Sequence, residues 1–163
     1  LAMALLKALE KLGLNAQANK EYELPEGSQK NTAVCFEVPS NYEITVEGKK
    51  LIGSAQARKH KGVLQHGSLP LFGDITRILD VMEFPSEEIK SEAQQKLLSH
   101  ATTVFTAAGK SVTLEQASRA FHQAFSETLN INFDFTYPTN EEINRANELE
   151  KEKYTNATWT AHK

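Results

Sequence analysis

Leucines recur at helical spacing at the start of the chain, where they favour an amphipathic helix. The residues that share one face of this helix are Leu1, Leu5, Leu6, Leu9 and Leu12. Gly13 then supplies a natural stop, because glycine readily adopts the left-handed conformation that ends helices. The pattern predicts a first helix packed against an apolar core.

Alternation of apolar and polar residues replaces the helical spacing after a polar loop over residues 21–31. Tyr42, Ile44 and Val46 alternate as a strand, and Glu47-Gly48 predicts a turn. Residues 50–59 and 63–71 read as two further strands around a second turn at residues 60–62. The sequence therefore predicts a three-stranded antiparallel meander.

Helical spacing dominates the rest of the chain, with helices predicted over residues 74–82 and 87–101. Thr113 and Gln116 form a capping box that opens a third helix, and Thr139 opens a last one in the same way. Alternating Ile131, Phe133 and Phe135 predict a short strand between these two helices. Residues 155–163 read as a polar tail.

The length of 163 residues and the hydrophobic share of 40% suit one compact domain. The predicted strands followed by helices make its fold class α+β. The net charge of -3 gives no electrostatic reason to expect nucleic acid or an anionic membrane as a partner. No apolar run approaches the roughly 20 residues of a membrane-spanning helix. We expect a cytoplasmic protein, in agreement with a single cysteine that cannot form an internal disulfide.

That cysteine, Cys35, is the first candidate for chemistry. A lone cysteine is more often a small buried hydrophobe, whereas a nucleophilic thiolate needs a cation nearby. Lys50 follows fifteen positions later, and strand alternation places Lys49 and Lys50 on opposite sides, so that one of them faces inward. The small residues that follow, Gly53-Ser54-Ala55, allow a ligand or another backbone to approach closely.

Other site types find less support in the sequence. The five histidines form no metal-binding pattern, and neither common glycine-rich phosphate-binding motif is present. A Cys35 and His66 pair stays open as an alternative, since strand pairing can bring them together, although a structural histidine is the commoner case. We predict no metal site.

Three segments together resemble the lipoate-protein ligase superfamily, and most closely its octanoyltransferase branch. These segments are residues 35–44 (Cys-Phe-Glu-Val-Pro-Ser-Asn-Tyr-Glu-Ile), 48–56 (Gly-Lys-Lys-Leu-Ile-Gly-Ser-Ala-Gln) and 64–71 (Leu-Gln-His-Gly-Ser-Leu-Pro-Leu). The resemblance is dense over residues 33–71 and diffuse to about residue 153. It implies a mixed, largely antiparallel sheet flanked by helices.

The resemblance also implies roles for individual residues. The family's acyl-accepting cysteine falls on Cys35, and its lysine at the acyl carbonyl falls on Lys50. Gly53, Ser54 and Ala55 then belong to the substrate-binding wall. Nothing here matches the Arg-Arg-x-Thr-Gly-Gly type segment of the family's earlier half, so residues 1–154 are expected to form the C-terminal part of one catalytic domain. The missing N-terminal half of the same protein is then an expected partner.

The activity that the resemblance implies is an octanoyl transfer without a cofactor. Octanoyl-acyl carrier protein would donate the acyl group, and a lipoyl-domain lysine, on a protein such as the glycine-cleavage H protein, would accept it. An ATP-dependent lipoate ligase, in which Cys35 is structural, is the alternative within the superfamily. A non-catalytic domain that docks a carrier protein is the alternative from another class.

Overall fold

The structure is a computed structural model that describes residues 1–19, 43–59 and 62–161. They form two compact units, Leu1–Ile131 and Asn132–Lys163. Several predicted features lie outside the described residues, namely Cys35, Tyr42, the loop over residues 21–31 and the centre of the second turn.

Helix α1, Ala2–Lys11, follows the leucine pattern. Leu9 and Leu12 are buried, together with Ala4 and Ala8, which allow a close approach to a later helix, Leu114–Leu129. The amide of Gly13 donates to the carbonyl of Glu10, and its φ of +84° is the left-handed conformation that ends the helix. The prediction for this segment is confirmed.

Among the described residues, the sheet has four antiparallel strands in the order β1-β2-β3-β4. They are β1, Gln17–Asn19; β2, Glu43–Val46; β3, Lys49–Lys59; and β4, Gly62–Ser68. The predicted meander is therefore confirmed, although its last strand ends at Ser68 rather than at residue 71. The carbonyls of Pro70 and Leu71 instead accept from the first amides of a helix, Val104 and Phe105, each at 2.9 Å.

The turn between β2 and β3 sets the register of the central strand pair. Glu47 and Gly48 both have positive φ, at 51° and 76°, as a type I′ hairpin turn requires. Val46 then pairs with Lys49, and Thr45 with Lys50. Beyond this point the register shifts by one residue, and Ile44 pairs with Ile52. Leu51 is therefore the extra residue of a β-bulge.

Helices make up most of the chain after the sheet. A 3-10 helix, Ile75–Val81, takes the place of the helix predicted over residues 74–82, and α2, Glu87–His100, matches the next prediction. A short helix that was not predicted, α3, covers Val104–Ala108. Helix α4, Leu114–Leu129, begins at the predicted capping box, which has both of its hydrogen bonds.

The strand predicted over residues 131–135 is wrong. Within the part of the chain that the structure describes, these residues belong to no strand, and Phe135 is 84% exposed. Alternation of apolar side chains favours a strand only when a neighbouring strand pairs with it. None of the four described strands pairs with this segment.

The second unit contains the predicted last helix. Helix α5, Asn140–Leu149, begins at Thr139, whose capping box with Glu142 is present. A π-helical turn over Glu150–Tyr154 and a short helix α6, Ala157–Thr160, follow.

In the described part of the first unit, buried residues form two clusters. The larger cluster brings α1, α3 and α4 against β2 and β3, and its members include Leu9, Ile44, Leu51 and Val104. The smaller one joins the 3-10 helix to α2 through Leu79 and Leu97. The α+β fold, an antiparallel sheet with flanking helices, agrees with the sequence prediction. Among the described residues, no helix has the length and apolar character needed to cross a membrane.

Candidate active site

Lys50 lies near the start of β3 and is the lysine that faces inward. Its relative exposure is 7%, whereas Lys49 is only half-buried and points its ammonium to the carbonyl oxygen of Leu98 at 2.8 Å. Strand alternation predicted that the two lysines lie on opposite sides and that one faces inward. The structure confirms this and identifies Lys50 as the buried one.

The ammonium of Lys50 forms an ion pair with Glu43. The distance from Lys50 Nζ to Glu43 Oε1 is 2.5 Å, and the two side chains are only 8% and 6% exposed. A buried charge carries a large desolvation cost unless an opposite charge and hydrogen bonds compensate it. Glu43 therefore supplies an opposite charge that offsets part of the desolvation cost of the buried Lys50 ammonium.

The position of Glu43 follows from the register of the hairpin. Lys50 is directly opposite Thr45, and Glu43 lies two residues from Thr45 on the same face of β2. Glu43 is thus a diagonal cross-strand neighbour of Lys50. Sequence analysis missed this residue, although the alternation that made Ile44 a core residue also turned Glu43 to the opposite face.

The backbone of Lys50 is held by the segment that follows α2. Its carbonyl oxygen accepts a hydrogen bond from the amide of Thr102 at 3.0 Å, and Lys50 forms an isolated parallel bridge with Ala101. Ala101, Thr102 and Thr103 are all buried in the segment between α2 and α3. The bulge at Leu51 follows immediately, and bulges next to functional sites often redirect a side chain.

The Gly53-Ser54-Ala55 segment lies on β3 beyond the bulge. These residues pair with Ser68, Gly67 and His66 of β4. A Cβ atom on Gly67 would lie 3.2 Å from the carbonyl oxygen of Gly53, which shows that the two backbones are close. Close approach of another backbone was one of the two predicted reasons for small residues here. Ser54 and Ala55 are exposed.

No described contact places Cys35 or His66 beside Lys50. Cys35 lies outside the described residues, and its distance from Lys50 stays a prediction. His66, its alternative partner, is exposed on β4 opposite Ala55. Within the three described ranges, no group of three or more histidine, cysteine, aspartate or glutamate side chains could hold a metal ion.

A surface groove of about 730 Å³ lies elsewhere in the first unit, between α1, the segment that follows it and the end of α4. Met3, Leu6 and Leu14 supply its apolar lining, beside Lys7 and Glu10. Its lining includes neither Lys50 nor any other residue predicted for the site, and we assign no chemistry to it.

Comparison with curated proteins places octanoyltransferases among the relatives of this chain. Octanoyltransferase LipM of Bacillus anthracis is 35% identical over 166 residues, which cover 100% of this chain and 60% of that protein. Octanoyltransferase LipM of Bacillus subtilis (strain 168) is 35% identical over 158 residues, with 95% and 57% coverage. The chain thus spans about 60% of the length of these curated relatives.

Solved structures share the fold at low sequence identity. A bi-partite lipoate protein ligase of Thermoplasma acidophilum, solved in a study of that ligase and its E2 lipoyl domain, has a TM-score of 0.75 and 22% identity. It is matched over 96% of this chain and 54% of its own. A lipoate-protein ligase A bound with ATP has a TM-score of 0.71 and 23% identity, with 97% and 55% coverage.

The family match covers the first unit of the structure almost completely. The family described as the lipoyl protein ligase A/B catalytic domain matches residues 1–126, which include α1, the four described strands, the buried Lys50 and most of α4. The chain belongs to the lipoyl protein ligase A/B catalytic-domain family.

Proposed function

We propose that this chain is part of an octanoyltransferase, with Cys35 as nucleophile and Lys50 as its cationic partner. The octanoyl group comes from acyl carrier protein and goes to a lysine of a lipoyl domain, such as that of the glycine-cleavage H protein. The burial of the Lys50 ammonium at the start of β3 is the observation that carries the proposal. The 35% identity to proteins named octanoyltransferase supports it.

The proposed reaction has two acyl-transfer steps. The Cys35 thiolate attacks the octanoyl thioester, its sulfur bonds to the acyl carbon, and the bond from that carbon to the carrier's sulfur breaks. The carrier leaves as a thiol with the proton that Cys35 gave up. The lysine amine of the lipoyl domain then attacks the enzyme thioester, an amide forms, and the proton of the amine returns to Cys35.

Lys50 contributes positive charge at two moments of this sequence. A nearby ammonium stabilises the Cys35 thiolate before attack and the oxyanion that develops on the acyl carbonyl during attack. Both effects are larger in a site shielded from water than at the surface, because screening by solvent is weaker there. Gly53, Ser54 and Ala55 would line the acyl group without blocking it, since their side chains are small.

The donor thioester is already activated, so the reaction proceeds without ATP or another cofactor. The competing ligase activity would need ATP to activate a free acid. We further propose that residues 1–154 are the C-terminal part of the catalytic domain, with residues 155–163 as a polar tail. They would act in the cytoplasm with the remainder of the same protein, in keeping with the 60% coverage of the relatives.

Intact-mass spectrometry of the full-length protein incubated with octanoyl-acyl carrier protein tests this proposal. We expect an octanoyl adduct on Cys35 that disappears when a lipoyl-domain acceptor is added, and no adduct in Cys35→Ala. An adduct that persists in Cys35→Ala would contradict the nucleophile assignment. Acceptor octanoylation that requires ATP and free octanoate would identify a ligase instead. Acceptor octanoylation retained in the Cys35→Ala, Lys50→Ala double variant would exclude catalysis by these residues and leave the docking role.

A further inference from the structure

The carboxylate of Glu43 lies 2.5 Å from the Lys50 ammonium and forms a buried ion pair with it. We infer that Glu43 is a positioning residue, which holds that ammonium at the place where it acts on the thiolate and the acyl carbonyl. The inference rests on the proposed function of Lys50. It adds a residue that neither the sequence pattern nor the roles implied by the resemblance identified.

The geometry of the hairpin restricts where the Lys50 side chain can go. The type I′ turn at Glu47-Gly48 fixes the register, and the hydrogen bond from Thr102 fixes the Lys50 backbone from the other side. A lysine side chain still has four rotatable bonds beyond this anchored backbone. The ion pair with Glu43 selects one arrangement of them, so the ammonium has a defined position before substrate arrives.

Stability alone gives a weak reason for such a pair. A buried ion pair contributes little net stability compared with well-packed apolar residues of similar size, because desolvation offsets most of the attraction between the charges. The residues next to the pair in sequence, Ile44, Leu51 and Ile52, are buried apolar members of the core cluster. A buried cation with its counter-charge at this one place is therefore better explained by a requirement for a positioned charge.

Glu43→Gln is the informative variant, because the amide keeps the size and a hydrogen-bond acceptor but removes the counter-charge. We expect the kcat for formation of the Cys35 thioester to fall about tenfold to a hundredfold, the range expected when a catalytic group is misplaced by about 1 Å. The KM for octanoyl-acyl carrier protein should change little, since Glu43 contacts Lys50 rather than substrate. Glu43→Asp should recover part of the rate.

A double-mutant cycle separates positioning from a structural role. If Glu43 acts through Lys50, Glu43→Gln has little further effect on the rate in a Lys50→Ala background. Glu47→Gln is the matched control, because Glu47 is exposed in the turn of the same hairpin, and it should retain wild-type kinetics. A wild-type rate in Glu43→Gln, or a full additional loss in the Lys50→Ala background, would overturn the inference.

A second measurement tests the position of the ammonium without relying on activity. In ¹⁵N-lysine-labelled full-length protein, the Lys50 ammonium protons should exchange slowly with water and give an NMR signal that is lost in Glu43→Gln. A signal that survives this substitution unchanged contradicts positioning by Glu43. Absence of a Cys35 thioester in the wild type, together with a signal that depends on Glu43, contradicts the proposed function but leaves the positioning intact.

Discussion

Two adjacent lysines with different environments show how single residues divide their roles. Lys49 is half-buried and donates to the last turn of α2 at the Leu98 carbonyl, a favourable place for a cation because carbonyl groups are unpaired at a helix C-terminus. Lys50 is buried with Glu43. The same residue type therefore stabilises a helix end at one position and forms a candidate catalytic group at the next.

Lys50→Arg tests whether the site requires a compact ammonium. Arginine keeps the charge, but its planar guanidinium is larger and has a different hydrogen-bonding geometry from the ammonium that meets Glu43. We expect the rate of octanoyl transfer to fall about tenfold to a hundredfold through misplacement of the charge. Lys49→Arg is the matched control and should keep about wild-type activity. Near-normal turnover of Lys50→Arg, measured by acceptor acylation, would show that any cation at this position is sufficient.

Helix α4 is positioned by interactions at its start and along its length. Thr113 and Gln116 satisfy each other's backbone amides at the N-terminus, and Ala117, Ala120 and Ala124 are buried along one face. The small side chains let α4 lie close to α1. Near the end of α4, Glu127 binds the ammonium groups of Lys7 and Lys11 of α1, each at 3.0 Å.

The pairing of α1 with α4 should depend on pH through Glu127. Hydrogen bonds from Lys11 and Lys7 hold the pKa of the Glu127 carboxyl below its usual range. Since the folded-state pKa is the lower one, the stabilisation is complete above the ordinary glutamate pKa of about 4.3 and is lost as the pH falls through the folded-state pKa. We expect Glu127→Gln to lower the free energy of unfolding near neutral pH, with a difference from wild type that shrinks in acid.

Chemical denaturation at a series of pH values measures this difference. High salt should reduce it, because the three side chains are partly exposed and their charges are screened. In a Lys7→Gln, Lys11→Gln background, the effect of Glu127→Gln on the free energy of unfolding should change much less with pH. If the effect of Glu127→Gln varied with pH as strongly in that background, the two lysines would not be the cause of the pH dependence.

The whole molecule distributes its buried residues unevenly. The larger core cluster and the Lys50 site lie in Leu1–Ile131. In Asn132–Lys163, none of the described residues is buried, and helix α5 depends on its capping box and on pairs such as Arg145 with Glu148. Exposed pairs of this kind contribute little, typically below about 1 kcal/mol.

Native-state hydrogen exchange of the 163-residue chain should therefore separate the two units. Amides of α5 should exchange through local opening at low free energy, whereas central amides of α1 and α4 should exchange only with the larger opening of the first unit. As denaturant is added, the exchange rate of α5 amides should begin to rise at a lower denaturant concentration than that of α4 amides. Equal protection in α4 and α5 would show that the second unit is stabilised by contacts beyond its own side chains.

Several sequence predictions succeeded because their causes lie within a few residues. Both capping boxes, the Glu47-Gly48 turn and the end of α1 at Gly13 depend on local hydrogen bonds and on local backbone conformation. The short helix α3 could have been found in the same way, since Thr103 caps its start and Gly109, with φ of +65°, ends it. The inward position of one lysine followed from the two-residue period of a strand.

The sequence by itself thus determined the elements whose signals are local, the parity of Lys49 and Lys50, and the family resemblance. Only the tertiary structure decided which partners meet. In the tertiary structure, the short strand β1 pairs with β2, and the alternating segment around Phe133 belongs to no described strand. Of the two adjacent lysines, Lys50 is the one that is buried, beside Glu43. These outcomes depend on strand register and on residues far apart in the chain. A periodic pattern identifies the face on which a side chain lies, but it cannot specify what will cover that face.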